Sequence, residues 1–431
     1  ILGNTATISE CLKLDEDNKS GYSKEFYSAS SELREQYKKD EEVKEIINIA
    51  LGLEGLRRQD GIHAAAVVIS PDTITNFLPV QQKGKEAELV TQFEMHTVEQ
   101  LGLLKMDFLG LRNLSVIDRT LELIGDEKLD IDNIPLDDKK TFELLADGKM
   151  TGVFQLESRV AQSTSRSLKT NTFEDIVALV ALIRPGPLGA GMHNEFTDRA
   201  TGRKDIEYLH KDLEEILSET YGVILYQEQV MQIAQKISGF ELEEADELRK
   251  AMGKKIPKVM EKQREKFTIG ATKNGYSEQF AIELFDQIAY FAGYGFNKSH
   301  SVPYALLAYQ TAYLKANHPA EYIAACLTAV KRDKDRTAIF LSEARDLGVK
   351  VSTPDINESL EDFSVSNNEI VFGISAIRNV GDITAEKIIK ERGKGPFETI
   401  EEFLSRIDSR SLNKRRIEAM VQGGAFDRFG F

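Results

Sequence analysis

The stretch Leu101-Gly-Leu-Leu-Lys-Met-Asp-Phe-Leu-Gly110 decides how the rest of the chain is read. Strand side chains alternate faces. As a strand, it puts Lys105 and Asp107 on one face and Leu104, Met106 and Phe108 on the other. A carboxylate fixed on a rigid, otherwise apolar element is a good metal ligand, because it cannot swing away from the ion. The same alternation fits an edge strand that shows a solvated Lys–Asp face to water, and the stretch alone leaves both readings open.

Outward from it the texture is a small α/β portion behind a helical leader. Gly61 to Pro71 reads as loop plus strand, with His63 ahead of Ala64-Ala-Ala-Val-Val-Ile-Ser70, and Leu89 to Glu94 reads as another strand. In residues 1–60, Ser31-Glu-Leu-Arg-Glu is a helix start, and Val43, Ile46, Ile47 and Ala50 follow helical spacing. After the central strand, Leu114, Ile117, Leu121 and Ile124 recur at helical spacing with Gly125 as the stop. Helices then dominate to about residue 350. Thr172 begins one that Pro185 ends, forcing Arg184 out of helical geometry. Gly222 to Tyr226 reads as a short strand and Gln227 to Ser238 as a helix closed by Gly239. Around Pro354 the pattern changes, and Glu369-Ile-Val-Phe-Gly reads as a strand ahead of a small helical module. The fold class expected is mainly α with a small α/β portion.

The length, 431 residues, suits about two or three domains. Apolar residues are 41% and charged residues 29%, the balance of an ordinary globular protein. No apolar run approaches bilayer-crossing length, so no membrane is expected. The chain starts at Ile1 without a signal-like leader, which suggests a fragment or a processed chain. Cys11 and Cys326 give neither a disulfide framework nor metal spacing, which fits a reducing compartment. The net charge of −15, from 55 basic and 70 acidic residues, argues against a nonspecific nucleic-acid coat. It leaves room for a local basic channel, because charges are screened beyond about 10 Å at moderate salt.

Four segments carry candidate chemistry. Arg184-Pro-Gly-Pro holds a guanidinium on a stiff corner, where it suits a phosphate or caps the preceding helix's carbonyls. In Leu248-Arg-Lys-Ala-Met-Gly-Lys-Lys255, the helix dipole accounts for Arg249 and Lys250, whereas Lys254 and Lys255 are expected beyond the helix. A polyanion accounts for all four. Lys258, Lys262 and Lys266, flanked by Glu261 and Glu265, fit an ordinary salt-bridged surface. In Gly293-Tyr-Gly-Phe-Asn-Lys-Ser-His-Ser301, Ser301 is expected to cap the next helix with Pro303 in its first turn. Amides at that helix start, with Asn297, Lys298, Ser299 and His300, would form an anion site; the alternative is a tight interhelical turn. Ala376-Ile-Arg-Asn-Val-Gly-Asp-Ile-Thr-Ala-Glu-Lys-Ile-Ile389 has the helix–hairpin–helix pattern, whose turn Asn379-Val380-Gly381 would offer backbone amides to DNA phosphate. Asn379 replaces the usual first glycine and tolerates left-handed geometry, while Asp382 would weaken phosphate binding. Ser411-Leu-Asn-Lys-Arg-Arg, with Lys414 and Arg415, would supply the basic side of a second copy; a hairpin used only for packing is the alternative.

With these segments in place, nearly the whole chain resembles the C-family replicative polymerases, the alpha subunits of bacterial DNA polymerase III. The carrying motifs are Gly102-Leu-Leu-Lys-Met-Asp-Phe-Leu-Gly-Leu-Arg-Asn, Ile183-Arg-Pro-Gly-Pro, Leu225-Tyr-Gln-Glu-Gln-Val-Met-Gln, Leu248-Arg-Lys-Ala-Met-Gly-Lys-Lys, Phe291-Ala-Gly-Tyr-Gly-Phe-Asn-Lys-Ser-His and Gly424-Ala-Phe-Asp-Arg. The resemblance implies a partial polymerase-beta-like nucleotidyltransferase palm, helical thumb and fingers, and a terminal helix–hairpin–helix module. Residues 1–60 would be a partial thumb, 61–112 the second half of the palm, 113–352 fingers, and 353–431 the start of the clamp-binding region. In the family three palm aspartates hold two magnesium ions; Asp107 matches the third aspartate, with Lys105 beside it near primer or phosphates. The others belong to a Pro-Asp-x-Asp-x-Asp motif, and here Pro71-Asp and Pro354-Asp-Ile-Asn lack the following carboxylates. Arg184, Arg249, Lys250, Lys254, Lys255 and the Asn297–His300 loop would cradle triphosphate and template. The implied partners are primer–template DNA, dNTP, a sliding clamp and other replisome subunits, in the bacterial cytoplasm at the nucleoid. The family's N-terminal phosphoesterase-like domain, clamp peptide and oligonucleotide-binding domain have no counterpart in this sequence, so an inactive internal piece is expected. Two other classes remain: a noncatalytic DNA-binding module using the hairpin, and a structural protein whose basic clusters are solvated surface.

Overall fold

Leu104–Asp107 forms the expected strand and pairs antiparallel with Ala66–Ile69, Asp107 facing Ala66 and Lys105 facing Val68 across the ladder. A computed structural model describes residues 7–13, 24–56, 61–82, 88–126, 129–254, 257–292, 295–408 and 412–430. It divides into two compact units, Ile1–Arg112 and Asn113–Phe431.

Among its described residues the first unit has few buried side chains. Its two-stranded ribbon extends to the Phe108 amide, which donates to the Ala65 carbonyl at 2.9 Å. A second ribbon pairs Val80–Gln82 with Leu89–Thr91, and Glu94, expected in that strand, instead caps the helix Met95–Gln100. Leu78, Val98 and Leu103 make the small core. The alternation predicts an inward apolar face on the central strand, but Leu104, Met106 and Phe108 are 58%, 45% and 62% exposed. The reason is that no described layer stacks on this side of the ribbon. The helix Glu41–Leu53, capped by Asp40, likewise buries none of its residues.

The second unit is built around the long helix Lys298–Asn317, which packs on Phe173–Leu182 and Lys139–Ala146. Phe173–Leu182 starts with a capping box between Thr172 and Asp175 and is buried from Asp175 to Leu182, as a helix apolar all round must be. Arg184 then sits in extended geometry (φ −142°, ψ 154°) ahead of Pro185. Gly222 to Tyr226 is not a strand: only Tyr226 bridges to Phe296. The amides that a ladder would pair are taken by the Gln229 side-chain oxygen, which accepts from Leu225 at 2.9 Å and Tyr226 at 3.0 Å.

A second core gathers the helices Gln227–Ser238, Leu242–Lys254, Pro257–Lys273 and Glu278–Ala292 around Leu248, Phe267 and Ile288. Beyond the helix Lys334–Asp346 comes a three-stranded sheet in the order Val351–Ser352, Glu369–Val371, Ser364–Ser366. Its hairpin turns through Asn367 and Asn368, both with positive φ, as tight two-residue turns require. The terminal helices Gly381–Arg392, Ile400–Arg406 and Lys414–Gln422 close over Phe397, Phe403, Met420 and Phe426.

Candidate nucleic-acid and nucleotide interface

In the first unit, Lys105 Nζ lies 2.6 Å from Asp107 Oδ1. That hydrogen bond, with the Lys105 and His63 charges, holds the Asp107 carboxyl below the usual carboxylate range. Asp107 is therefore ionised at neutral pH and already neutralised by a partner on its own strand. Among the described residues no cluster of three or more His, Cys, Asp or Glu side chains suits a metal ion. Asp107 offers one carboxylate, not a complete metal centre.

In the second unit Arg184, Arg249, Lys250 and Lys298 all meet protein partners. The Arg184 guanidinium stacks on the Phe296 ring at 4.0 Å, and its Nε donates to the Ala181 carbonyl at 3.0 Å. It therefore caps the preceding helix as one of its two sequence readings has it. Arg249 and Lys250 both pair with Asp246 at 2.7 Å, and Arg249 reaches Gln227 Oε1 at 3.4 Å. Lys254 is the last residue of its helix rather than lying beyond it, because the helix runs through Gly253. The Lys254 side chain and Lys255 lie outside the described residues.

The 295–301 turn departs from expectation in its cap. Asn297, not Ser301, caps the long helix, its side chain accepting from the His300 amide at 2.9 Å. Ser301 is buried in the helix and donates to the Val177 carbonyl at 2.7 Å, and Pro303 sits inside the helix. The helix starts earlier than expected because a carboxylate from another helix satisfies its first amides. Glu228 accepts from the Lys298 amide at 2.9 Å and the Ser299 amide at 3.3 Å, and Lys298 Nζ pairs with Glu219 at 2.5 Å. The expected anion site thus holds one of the protein's own anions, consistent with a helix N-terminus favouring negative charge. The His300 ring packs tilted against Tyr304 with 4.3 Å between ring centroids.

Gln227 and Glu228 are the hub that sequence reading did not single out. Gln227 donates to the Gly295 carbonyl at 3.2 Å, its amide donates to the Phe296 carbonyl at 2.9 Å, and it also receives Arg249. The Tyr-Gln-Glu-Gln run was visible as an unusually polar helix start, but its partners Gly295 and Lys298 lie 68 and 70 positions away.

In the terminal module, Asn379 and Gly381 both adopt left-handed φ (66° and 65°), and Val380 between them is buried. Arg416 Nε donates to the Asn379 carbonyl at 3.1 Å, fixing the turn. Asp382 is held by Lys331 and Arg332, each at 2.6 Å. Lys414 lies 3.7 Å from Glu418, and Arg415 is exposed.

Family comparisons bear on both units. The family described as "Bacterial DNA polymerase III alpha NTPase domain" matches residues 2–110, "Bacterial DNA polymerase III alpha subunit finger domain" matches 113–275, and "Helix-hairpin-helix motif" matches 348–431. The chain is 47% identical over 409 residues to DNA polymerase III subunit alpha of Thermus aquaticus, covering 93% of this chain and 33% of that protein. It is 48% identical over 418 residues to the Escherichia coli K12 subunit (94% of this chain, 36% of that protein). It is 43% identical over 416 residues to the Mycobacterium tuberculosis subunit (95% and 35%). The chain thus spans about a third of the length of these curated relatives.

Proposed function

Because the chain belongs to the bacterial DNA polymerase III alpha-subunit family, we propose that it forms part of a DNA-directed DNA polymerase adding dNTPs to a primer 3′ end. Residues 1–60 are then thumb, 61–112 the second half of the palm, 113–352 fingers, and 353–431 the helix–hairpin–helix start of the clamp-binding region. The observation that carries the reading is Asp107, ionised and fixed beside Lys105 at the end of a strand, inside the segment matched by the alpha-subunit family.

The resemblance implies that magnesium would supply charge stabilisation for such a reaction. The described residues do not complete such a site, since no group of three or more His, Cys, Asp or Glu side chains among them could hold a metal ion. No metal-dependent step is therefore assigned to them. Their own contributions are electrostatic and positional. Lys105 keeps the Asp107 carboxylate oriented. Arg184, stiffened by Pro185 and the Phe296 ring, and the Arg249–Gln227–Phe296 network set cations and donors for a triphosphate or template backbone.

The test has two arms. The purified 431-residue chain is expected to give no primer extension with magnesium and dNTPs; extension that disappears in Asp107→Ala would overturn this. It is expected to bind primer–template DNA without sequence preference, with log affinity falling linearly against log salt. Absence of binding at low salt, or binding without a salt slope, removes the polymerase reading. A noncatalytic DNA-binding module is the second reading, favoured by the left-handed Asn379 and Gly381 turn. In that case neutralising Arg249 and Lys298 leaves DNA affinity unchanged, whereas Gly381→Ala lowers it.

A further inference from the structure

Arg332 stands just past the helix Pro319–Val330, outside the segment matched by the helix–hairpin–helix family. Its side chain is 83% exposed, and its Nη2 donates to Asp382 Oδ2 at 2.6 Å. Asp382 follows Gly381 directly, so the guanidinium lies beside the hairpin turn. The neighbouring Lys331 is far less exposed (15%) and works differently: it bonds Asp362 and Asp382 at 2.6 Å and Ser375 Oγ at 3.0 Å. Lys331 therefore tethers the hairpin, while Arg332 stays in solvent at its edge.

Two features of this arrangement call for a ligand-facing role. First, the Asp382 charge, which would repel phosphate from the turn, is matched by two cations from the preceding domain. Lys331 and Arg332 balance Asp362 and Asp382, so the turn is no longer locally acidic. Second, arginines from three separate segments converge there: Arg332, the exposed Arg378 at the start of the turn, and Arg416 on the Asn379 carbonyl. An exposed ion pair adds almost nothing to stability, whereas a guanidinium has five donors, one of which goes to Asp382 here.

We infer that Arg332 belongs to the same DNA-binding face as the Asn379–Gly381 turn and contributes a backbone phosphate contact there. This rests on the reading that the hairpin binds DNA. The phosphate partner is the duplex backbone, because a helix–hairpin–helix turn offers its amides to phosphate, and phosphate contacts carry no sequence information.

The experiment uses the whole 431-residue chain and a fluorescein-labelled duplex with a recessed 3′ end, titrated at several potassium chloride concentrations. Arg332→Ala is expected to weaken binding several-fold and to reduce the slope of log affinity against log salt by about 0.9, the value of one phosphate contact. Arg332→Lys is expected to keep the slope, and the melting temperature of both variants to stay at the wild-type value. Gly381→Ala, strained at φ 65°, reports on the hairpin itself. If Gly381→Ala weakens binding while Arg332→Ala changes neither affinity nor slope, the hairpin reading stands and the role of Arg332 is overturned. If Arg332→Ala weakens binding but Gly381→Ala does not, the shared face is overturned. If neither has an effect, DNA binds elsewhere and both readings fall.

Discussion

Glu228 shows how one side chain sets the local electrostatics of a site. Its carboxylate takes the Lys298 and Ser299 amides at 2.9 and 3.3 Å, donors left orphaned at any helix start. Charge-assisted bonds of this kind are worth about 2 kcal/mol when lost. Glu228→Ala is therefore expected to lower the melting temperature of the chain by a few degrees, and Glu228→Gln, which keeps an acceptor without the charge, by less. Thermal unfolding followed by circular dichroism checks the order; equal melting for all three proteins means that water serves these amides as well as Glu228 does. The same residue marks the limit of reading a site from sequence. The pairing of Arg249 with Asp246 is three positions apart on one helix and follows from helical spacing. The contact from Glu228 to Lys298 spans 70 positions, and no local pattern encodes it.

Elements were most legible where periodicity and caps agree. Thr172 and Asp175, then Pro185, bound one helix, and Gly239 at φ 68° ends another. Reading failed where a tertiary partner displaced a local signal, as when Gln229 took the amides that Gly222 to Tyr226 would offer a strand. It failed as well at Gly253, a weak helix breaker that the surrounding helix overrides. A close approach gives the element scale its own test. A Cβ on Gly270 would lie 2.2 Å from the Ser238 carbonyl oxygen, so the helices Pro257–Lys273 and Gln227–Ser238 touch backbone to side-chain-free backbone. Gly270→Ala gains helix propensity of about 1 kcal/mol but must push the helices apart, which costs about 1–3 kcal/mol or more in a packed core. Net destabilisation in urea unfolding is expected; a stabilised variant would mean that this contact relaxes freely.

At the scale of the whole molecule, the mainly α class was readable because helical spacing persists from Asn113 onward, whereas the sparse burial of the first unit was not. Alternation in Leu104 to Phe108 tells which residues share a face but not whether anything covers that face. In the structure Val67, Ile69, Leu104 and Met106 remain 44% to 58% exposed on a ribbon with two strands among the described residues. Two-stranded ribbons are marginal in water, and local opening is easiest where few apolar contacts resist it. The second unit differs: Phe173–Leu182 and Lys298–Asn317 cross in a continuous core that includes Ile176, Leu179, Tyr309 and Ala312, all buried. Amide hydrogen exchange should therefore separate the units. Amides in Ala66–Ile69 and Leu104–Asp107 are expected to exchange faster than those in Phe173–Leu182 and Lys298–Asn317 by orders of magnitude, and addition of primer–template DNA to slow those of the Asn379–Gly381 turn. Equal protection in the ribbon and the central helices would show that the ribbon's apolar face is covered in solution, and the weak-core account of the first unit would then have to be abandoned.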